Sequence, residues 1–343
     1  MARLNVGLIG LGRLGRVYAR DLSSRIAQTR LTAVADTDGV LAGQLAAEFE
    51  VPQAYEDPRR LIADPDVDAV VIVSPTHTHR DLVKAALAAN KPTFCEKPPA
   101  ISLADATDMA AAVERTGTFL QMGFMRRFDP GYASAKRQID EGRIGRPVVF
   151  KATSRDPFPP SLAYANPKSS GGIFIDMGIH DFDLARWFMG EIESVQAIGA
   201  TLVFPELATV GDRDNVIAML AFADGRLGVV DLTRNGVYGY DITTELLGTE
   251  GTIRVGYIRE TPVLVMTPNS VAHDTVPYFM ERFERAYTLQ LENFAENVLR
   301  NRPPPITIRD GVEALRVAVA ATRACETGER VEVRAIVPGS APL

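Results

Sequence analysis

Leu4-Asn5-Val6-Gly7-Leu8-Ile9-Gly10-Leu11-Gly12-Arg13-Leu14-Gly15 sets a near-continuous apolar run directly before three glycines spaced G-x-G-x-x-G. A short stretch that is apolar on both faces suits a strand buried on both sides. From Arg13 onward the apolar residues return at helical spacing, so the glycines lie between a strand and a helix, the context that makes the motif specific. Gly10 permits the tight turn, Gly12 lets a pyrophosphate approach the backbone, and Gly15 lets the helix lie close to the strand. The helix start at Arg13 and Leu14 offers unpaired N–H groups and a positive dipole end to phosphates. Asp36 closes the next apolar run, with Thr37 and Asp38 behind it and no arginine beside it. A carboxylate there accepts hydrogen bonds from ribose hydroxyls and repels a 2′-phosphate, which favours NAD over NADP.

The alternation continues. Residues 31–35, 69–73, 93–95 and 118–122 read as strands, and 13–25, 40–49, 79–89 and 103–115 as helices, with Asn90 and Gly117 as natural stops for the last two. Alternating β and α elements predict an α/β fold, a doubly wound parallel sheet of the Rossmann type. The second half differs. Residues 148–153, 194–204, 216–222, 226–233, 242–247 and 252–255 are strand-like, and Asp224-Gly225 is a hairpin signal. Helical patterns cover 130–140, 172–188, 280–299 and 310–326, the last two flanking Pro303-Pro304-Pro305. This predicts a C-terminal α+β domain with a large, mainly antiparallel open sheet. The boundary falls near Gly123, giving a dinucleotide-binding domain over 1–123 and a substrate-binding and oligomerisation domain over 124–343, whose last helices can pack back on the first.

Composition excludes several classes. With 343 residues, 46% hydrophobic and 23% charged, the chain has the make-up of a globular protein and the length for two domains. No apolar run is long enough to span a membrane, and the stretch after Met1-Ala2-Arg3 is too short for a signal-peptide core. The 37 basic residues are outnumbered by 43 acidic ones, without blocks of like charge, which argues against nucleic acid as a partner. Cys95 and Cys325 have no paired spacing for a metal or a disulfide framework. The protein is expected in the cytoplasm, with no membrane and no metal.

Ligands of open α/β sheets sit beyond the carboxyl ends of the strands. Ser74-Pro75-Thr76 therefore lines the expected cofactor crevice, and His79 stands near it at the next helix start. A metal on His77 and His79 is disfavoured, because residues two apart on a helix point to different sides. Cys95-Glu96-Lys97-Pro98-Pro99 follows another strand and brings Glu96 and Lys97 to the same crevice; from spacing alone Lys97 reads as well as a surface lysine at a proline-broken turn. In Gly171-Gly172-Ile173-Phe174-Ile175-Asp176-Met177-Gly178-Ile179-His180-Asp181-Phe182-Asp183, Asp176 and His180 are four apart, on one face if the helix is continuous. An Asp beside a His can orient the imidazole and stabilise its protonated form, although such pairs are more often structural than catalytic.

Taken together, the glycines, Glu96-Lys97-Pro98 and the Gly-Gly-x-x-x-Asp-x-Gly-x-His-x-x-Asp run resemble the glucose–fructose oxidoreductase/inositol dehydrogenase family, in family order from about Leu4 to the C-terminal helices. The resemblance implies an NAD-dependent oxidoreductase acting on a CH–OH group. It implies that Lys97 contacts substrate and cofactor, that the Lys97–Pro98 peptide is cis, and that Asp176 and His180 form the acid/base dyad. It also implies that the open sheet makes a homo-oligomer, a dimer or tetramer. Within the family, Phe94 to Pro98, Gly123 to Asp129, Arg155-Asp156-Pro157 and Tyr238-Gly239-Tyr240-Asp241 are most similar to inositol 2-dehydrogenases. That points to a cyclitol, myo-inositol first, with Arg127, Asp156 and Tyr240 joining Lys97, Asp176 and His180 around a polyol ring. Scyllo-inositol or a pyranose sugar is the alternative substrate. A catalytically silent NAD-binding regulator is disfavoured because Lys97 and His180 are both present.

Overall fold

The computed structural model describes residues 3–339; positions 1–2 and 340–343, included in the expected domain limits, lie outside the described residues. The chain forms two compact units. One comprises the residues up to Met125 together with Arg285–Glu313, and the other comprises Arg126–Glu284 with the residues from Ala314.

The first unit follows the alternation in its sequence: β1 (Leu4–Ile9), α1 (Arg13–Arg20), β2 (Thr29–Ala35), α2 (Gly39–Glu48), β3 (Gln53–Tyr55), α3 (Pro58–Ala63), β4 (Ala69–Ile72), α4 (His79–Ala88), β5 (Thr93–Glu96), α5 (Leu103–Thr116) and β6 (Leu120–Gly123). The strands form one parallel sheet in the order β3-β2-β1-β4-β5-β6. The order reverses between β1 and β4, which places the ligand crevice of a doubly wound sheet at their carboxyl ends. All of β4 is buried, and Val6 and Leu8 of β1 have no exposed surface, as continuous apolar runs require. Asp38 caps α2 by accepting from the Val40 and Leu41 N–H groups, and Gly117 ends α5 in the left-handed conformation at φ 65°.

Two features of the first unit differ from the expected elements. The expected helix over 13–25 becomes α1 and then a wider turn, Asp21–Arg25, where the Ile26 N–H reaches back to the Asp21 carbonyl. The edge pair β3 and α3 was not expected. β3 is three residues long and largely exposed, so it lacks an apolar signature, whereas Asp57-Pro58 is a legible helix start: Asp57 accepts from the Arg59 N–H and proline occupies the first turn.

The second unit begins with α6 (Pro130–Asp140) and β7 (Pro147–Arg155), followed by the short helices α7 (Leu162–Ala165), α8 (Pro167–Ser170) and α9 (Ile173–Asp176), and then α10 (Ile179–Met189). β8 (Ile192–Ala200), β9 (Asn215–Phe222), β10 (Leu227–Thr233), β11 (Asp241–Gly248) and β12 (Thr252–Val255) precede an exposed hairpin, β13 (Val265–Thr267) and β14 (Ser270–Ala272), that the reading missed. The chain closes with α11 (Phe279–Arg282), α12 (Glu284–Leu299), α13 (Ile308–Thr327) and β15 (Val331–Glu332), of which Arg285–Glu313 belongs to the first unit. The large sheet runs β12-β11-β7-β10-β9-β8-β15, antiparallel except for β7 beside β10.

β8 stops at Ala200, short of the expected 204, because the Leu202, Val203 and Phe204 N–H groups turn away to the Asp214 carboxylate. The helix over 172–188 is broken at Met177-Gly178, where the Gly178 N–H reaches back to the Ile173 carbonyl. A Cβ on Gly178 would come within 2.8 Å of the Phe174 carbonyl oxygen and 2.9 Å of Leu232. Asp176 and His180 therefore do not share one continuous helix face: Asp176 ends α9 and His180 is the second residue of α10. One face of the sheet is buried through Val216, Ala218, Leu220 and Phe222, while Ile198, Ile217, Met219 and Leu227 leave the other apolar and exposed.

Candidate functional site

The glycine turn is a cradle with one open side. Gly10 has φ 93°, a left-handed conformation that disfavours a side chain, and a Cβ there would come within 2.6 Å of the Ser74 backbone nitrogen. A Cβ on Gly15 would fall on the Gly10 carbonyl oxygen, so helix α1 and the end of β1 touch through bare backbone. At Gly12 a Cβ would meet nothing within 4 Å. Of the three glycines, Gly12 alone has open space over it, and it lies at the start of α1, where N–H groups are placed for a phosphate. Gly12→Ala should therefore leave the unfolding midpoint near that of the unmodified protein and weaken NAD binding, whereas Gly10→Ala should lower the midpoint itself. Equal loss of stability in both variants, measured by thermal unfolding alongside NAD titration, would contradict this division.

Asp36 is anchored without being used up. Its Oδ2 accepts the Leu11 N–H at 2.8 Å and its Oδ1 the Asp38 N–H at 3.0 Å. Each carboxylate oxygen keeps lone-pair capacity for a ribose hydroxyl. Thr37 is exposed beside it, and Arg13 is exposed past the glycines. Across the sheet, the Ser74 and Thr78 hydroxyls bond at 2.6 Å, with Thr76 half-buried between them. These groups meet the requirements of a dinucleotide: a bare turn, a helix start and an anchored acceptor.

Two residues assigned to the cofactor turn inward instead. The His79 ring is 1% exposed, with Nδ1 2.9 Å from the Pro98 carbonyl oxygen and Nε2 2.9 Å from that of Ser74. It ties the loop after β4 to the loop after β5, and burial pulls its pKa down. Glu96 is also buried: Oε1 accepts from the Tyr18 hydroxyl and, at 3.1 Å, from Gln290 Nε2, while Oε2 accepts the Lys97 N–H at 3.1 Å. Burial raises its pKa, opposed by Tyr18 and Lys97. Glu96 thus fixes the backbone from which the half-buried Lys97 emerges, and the Lys97–Pro98 peptide is cis.

In the second unit, sequence-distant groups gather around Asp176. Its Oδ1 accepts the Tyr164 hydroxyl at 3.0 Å and its Oδ2 accepts Arg234 Nη1 at 3.2 Å. The charge of Asp176 and then burial push the Tyr164 phenol well above its usual range, so it stays a donor. Asp156 acts electrostatically on both Arg234 and Tyr240. Asp156 is held by the β10 end, its N–H donating to the Thr233 carbonyl at 2.9 Å and its carbonyl accepting the Gly236 N–H at 2.7 Å. Tyr240 is 6% exposed; burial first, then Asp156, raises its pKa, and its ring meets Tyr278 edge-on at 5.6 Å. Asp156, Asp176 and Tyr240 of the expected set thus share one neighbourhood. His180, 6% exposed, starts the adjoining helix α10.

Arg127 is placed differently. Its Nε and Nη2 donate to Asp183 at 2.9 and 2.5 Å, and its guanidinium lies over Trp187, so two of its donors and one face are held by α10. Its neighbour Arg126 is buried and donates to Asp181 at 2.6 Å and Ser154 at 3.2 Å, while Ser154 donates to Asp181 at 2.8 Å. The turn of α10 that follows His180 is thus held by two arginine–aspartate pairs, at Asp181 and Asp183. Tyr164, Asp212 and Arg234 escaped the sequence reading, since Tyr164 lies in a one-turn helix, Asp212 in a loop and Arg234 at a strand end, and none belongs to a motif.

A family model described as the NAD-binding Rossmann fold of an oxidoreductase family matches residues 4–124, and the model of that family's C-terminal alpha/beta domain matches 136–333. The chain is 40% identical to a scyllo-inositol 2-dehydrogenase (NAD(+)) of Bacillus subtilis over 96% of each chain. It is also 40% identical to a myo-inositol 2-dehydrogenase of Thermotoga maritima over 97% of this chain and 100% of the other. The crystal structure of a scyllo-inositol dehydrogenase from Lactobacillus casei with bound cofactor NAD(H) and scyllo-inositol superposes with a TM-score of 0.92 at 32% identity, covering 97% of this chain and 99% of that one. With both halves matched in order and near-complete coverage of such relatives, the chain belongs to the glucose–fructose oxidoreductase/inositol dehydrogenase family of NAD-binding oxidoreductases.

Proposed function

We propose that this protein is an NAD-dependent cyclitol dehydrogenase that oxidises one ring hydroxyl of myo-inositol to the 2-keto-inositol. The observation that carries the reading is the cluster around Asp176. A carboxylate bracketed by a tyrosine and an arginine stands four residues before His180, amid Asp156 and Tyr240. A ring with a hydroxyl on every carbon needs donors and acceptors in alternation; arginine and lysine only donate, carboxylates only accept, and tyrosine does both. Relatives at 40% identity named for inositols support the same substrate class.

The first unit is the cofactor domain, with Gly10, Gly12, Gly15, Arg13, Leu14, Asp36, Thr37, Ser74 and Thr76 toward the dinucleotide, and His79 and Glu96 bracing the loops. Bound nicotinamide supplies the hydride acceptor. His180 takes the hydroxyl proton, Asp176 orients the imidazole and stabilises its protonated form, and Lys97 donates to the oxygen on which negative charge develops. The second unit holds the polyol and, through its exposed apolar sheet face, a second copy of the chain, as a dimer or tetramer. The protein works in the cytoplasm, consistent with its two unpaired cysteines.

Scyllo-inositol is the second reading, favoured by equal identity to a relative named for it. Scyllo- and myo-inositol differ only at the carbon oxidised, so both give one ketone. Incubation with NAD and each isomer, followed by NMR of the product, should yield that ketone from at least one. Recovery of both polyols unchanged would overturn the proposal.

Cofactor choice follows from Asp36. NAD should be preferred over NADP, and Asp36→Ala should erode that preference. Equal kcat/KM with both cofactors in the unmodified protein would remove the assignment.

A further inference from the structure

We infer that Arg234 is a positioning residue for the Asp176 carboxylate and that Asp212 sets the charge under which it works. The inference rests on the acid/base reading of Asp176 and His180 above. Arg234 is 1% exposed at the end of β10. Its Nη1 donates to Asp176 Oδ2 at 3.2 Å and its Nη2 to Asp212 Oδ2 at 3.0 Å. The guanidinium is planar and rigid, so one fork holds two carboxylates at a fixed separation, which a lysine ammonium does not reproduce. The other oxygen of Asp176 is taken by Tyr164. Asp212 Oδ1 in turn accepts the Ile173 N–H at 3.0 Å. Ile173 begins α9 and Asp176 ends it, so one buried pair grips both ends of the helix that presents the carboxylate.

The charge count gives Asp212 its role. An arginine alone on Asp176 would cancel the negative charge that an imidazolium at His180 requires. A second carboxylate on the same guanidinium leaves the three groups with one net negative charge, so orientation is obtained without neutralisation. Burial pushes the Asp212 carboxyl up, but Arg234 and the Ile173 and Arg213 N–H groups oppose this. Other charged and titratable groups near the cluster are Asp156, which acts electrostatically on Arg234 and Tyr240, Tyr164, which donates to Asp176, and Tyr278, which acts on Tyr164 and Tyr240. Asp181, next to His180 in the chain, is engaged by Arg126 and Ser154.

The test uses the full-length protein labelled with ¹⁵N-histidine, the His180 signal being assigned by its loss in His180→Ala. Asp212→Asn should lower the His180 titration midpoint by about half to one pH unit, since it removes a nearby opposite charge. Asp212→Glu should restore it. Arg234→Lys, which keeps the charge but not the fork, should keep the near-UV circular dichroism and the NAD Kd while kcat falls by about tenfold or more, as misplaced catalytic groups do. An unmoved His180 midpoint in Asp212→Asn, or unmodified turnover in Arg234→Lys, would overturn the inference. Failure of every inositol as substrate would remove the cyclitol reading instead: the NMR midpoint needs no substrate, and Arg234→Lys can be assayed on whichever alcohol the enzyme oxidises.

Discussion

His180→Ala lowers turnover by about 10²–10⁴-fold, the usual loss on removing a general base, while NAD affinity stays near that of the unmodified protein. The reason is one of location in the chain. The glycine turn, the helix start and Asp36, which make up the dinucleotide cradle, belong to the first unit; His180 belongs to the second, on α10. His180 is the second residue of that helix, and alanine there removes the imidazole while keeping a strong helix former. Stopped-flow turnover and fluorescence titration of NAD separate the two effects. Retained turnover with weakened NAD binding would place His180 in the cofactor site and remove it from the chemistry.

Arg126→Met costs about 3–5 kcal/mol of stability near neutral pH, the range for breaking a buried pair by removing one partner. Asp181 has no exposed surface, and without Arg126 its carboxylate keeps the Ser154 hydroxyl and its own backbone N–H but no cation. Its pKa is already raised by burial, with Arg126 opposing that rise. Loss of the arginine lifts it further. A carboxyl raised in the folded state contributes stability at low pH that is lost as pH rises through its folded value. The destabilisation of Arg126→Met is therefore largest where Asp181 would be ionised and shrinks on acidification, when a neutral carboxyl needs no cation. Urea unfolding at about pH 7 and about pH 5 should give a smaller difference from the unmodified protein at the lower pH. An equal difference at both would mean that Asp181 is not the group left stranded.

What was legible in the chain divides along physical lines. β1, α6 and β12 fall at the expected residues because an unbroken apolar run, an Asp-Pro helix start and a turn-bounded strand are all local signals. The break at Met177-Gly178 was not legible from periodicity, and part of what fills the space beside Gly178 is Leu232, more than fifty residues away. The inward turn of His79 and Glu96 has a similar origin: their partners are the Pro98 carbonyl in one case and Tyr18 with Gln290 in the other, and no spacing rule links them. The resemblance puts Arg127 toward substrate, and its bidentate hold on Asp183, more than fifty residues away, is a further contact that no local signal announces. Arg234 carried no signal because a single arginine at a strand end looks the same whether it faces solvent or two buried carboxylates. Motifs that act through backbone shape were readable; side chains whose role depends on a distant partner were not.

The most direct test of the central claim is a kcat/KM panel of inositol stereoisomers and aldopyranoses with NAD, followed by absorbance of the reduced cofactor. Myo-inositol or its scyllo epimer should be oxidised with the highest kcat/KM, well above any pyranose. Efficient oxidation of aldopyranoses with no activity on any inositol would contradict the account.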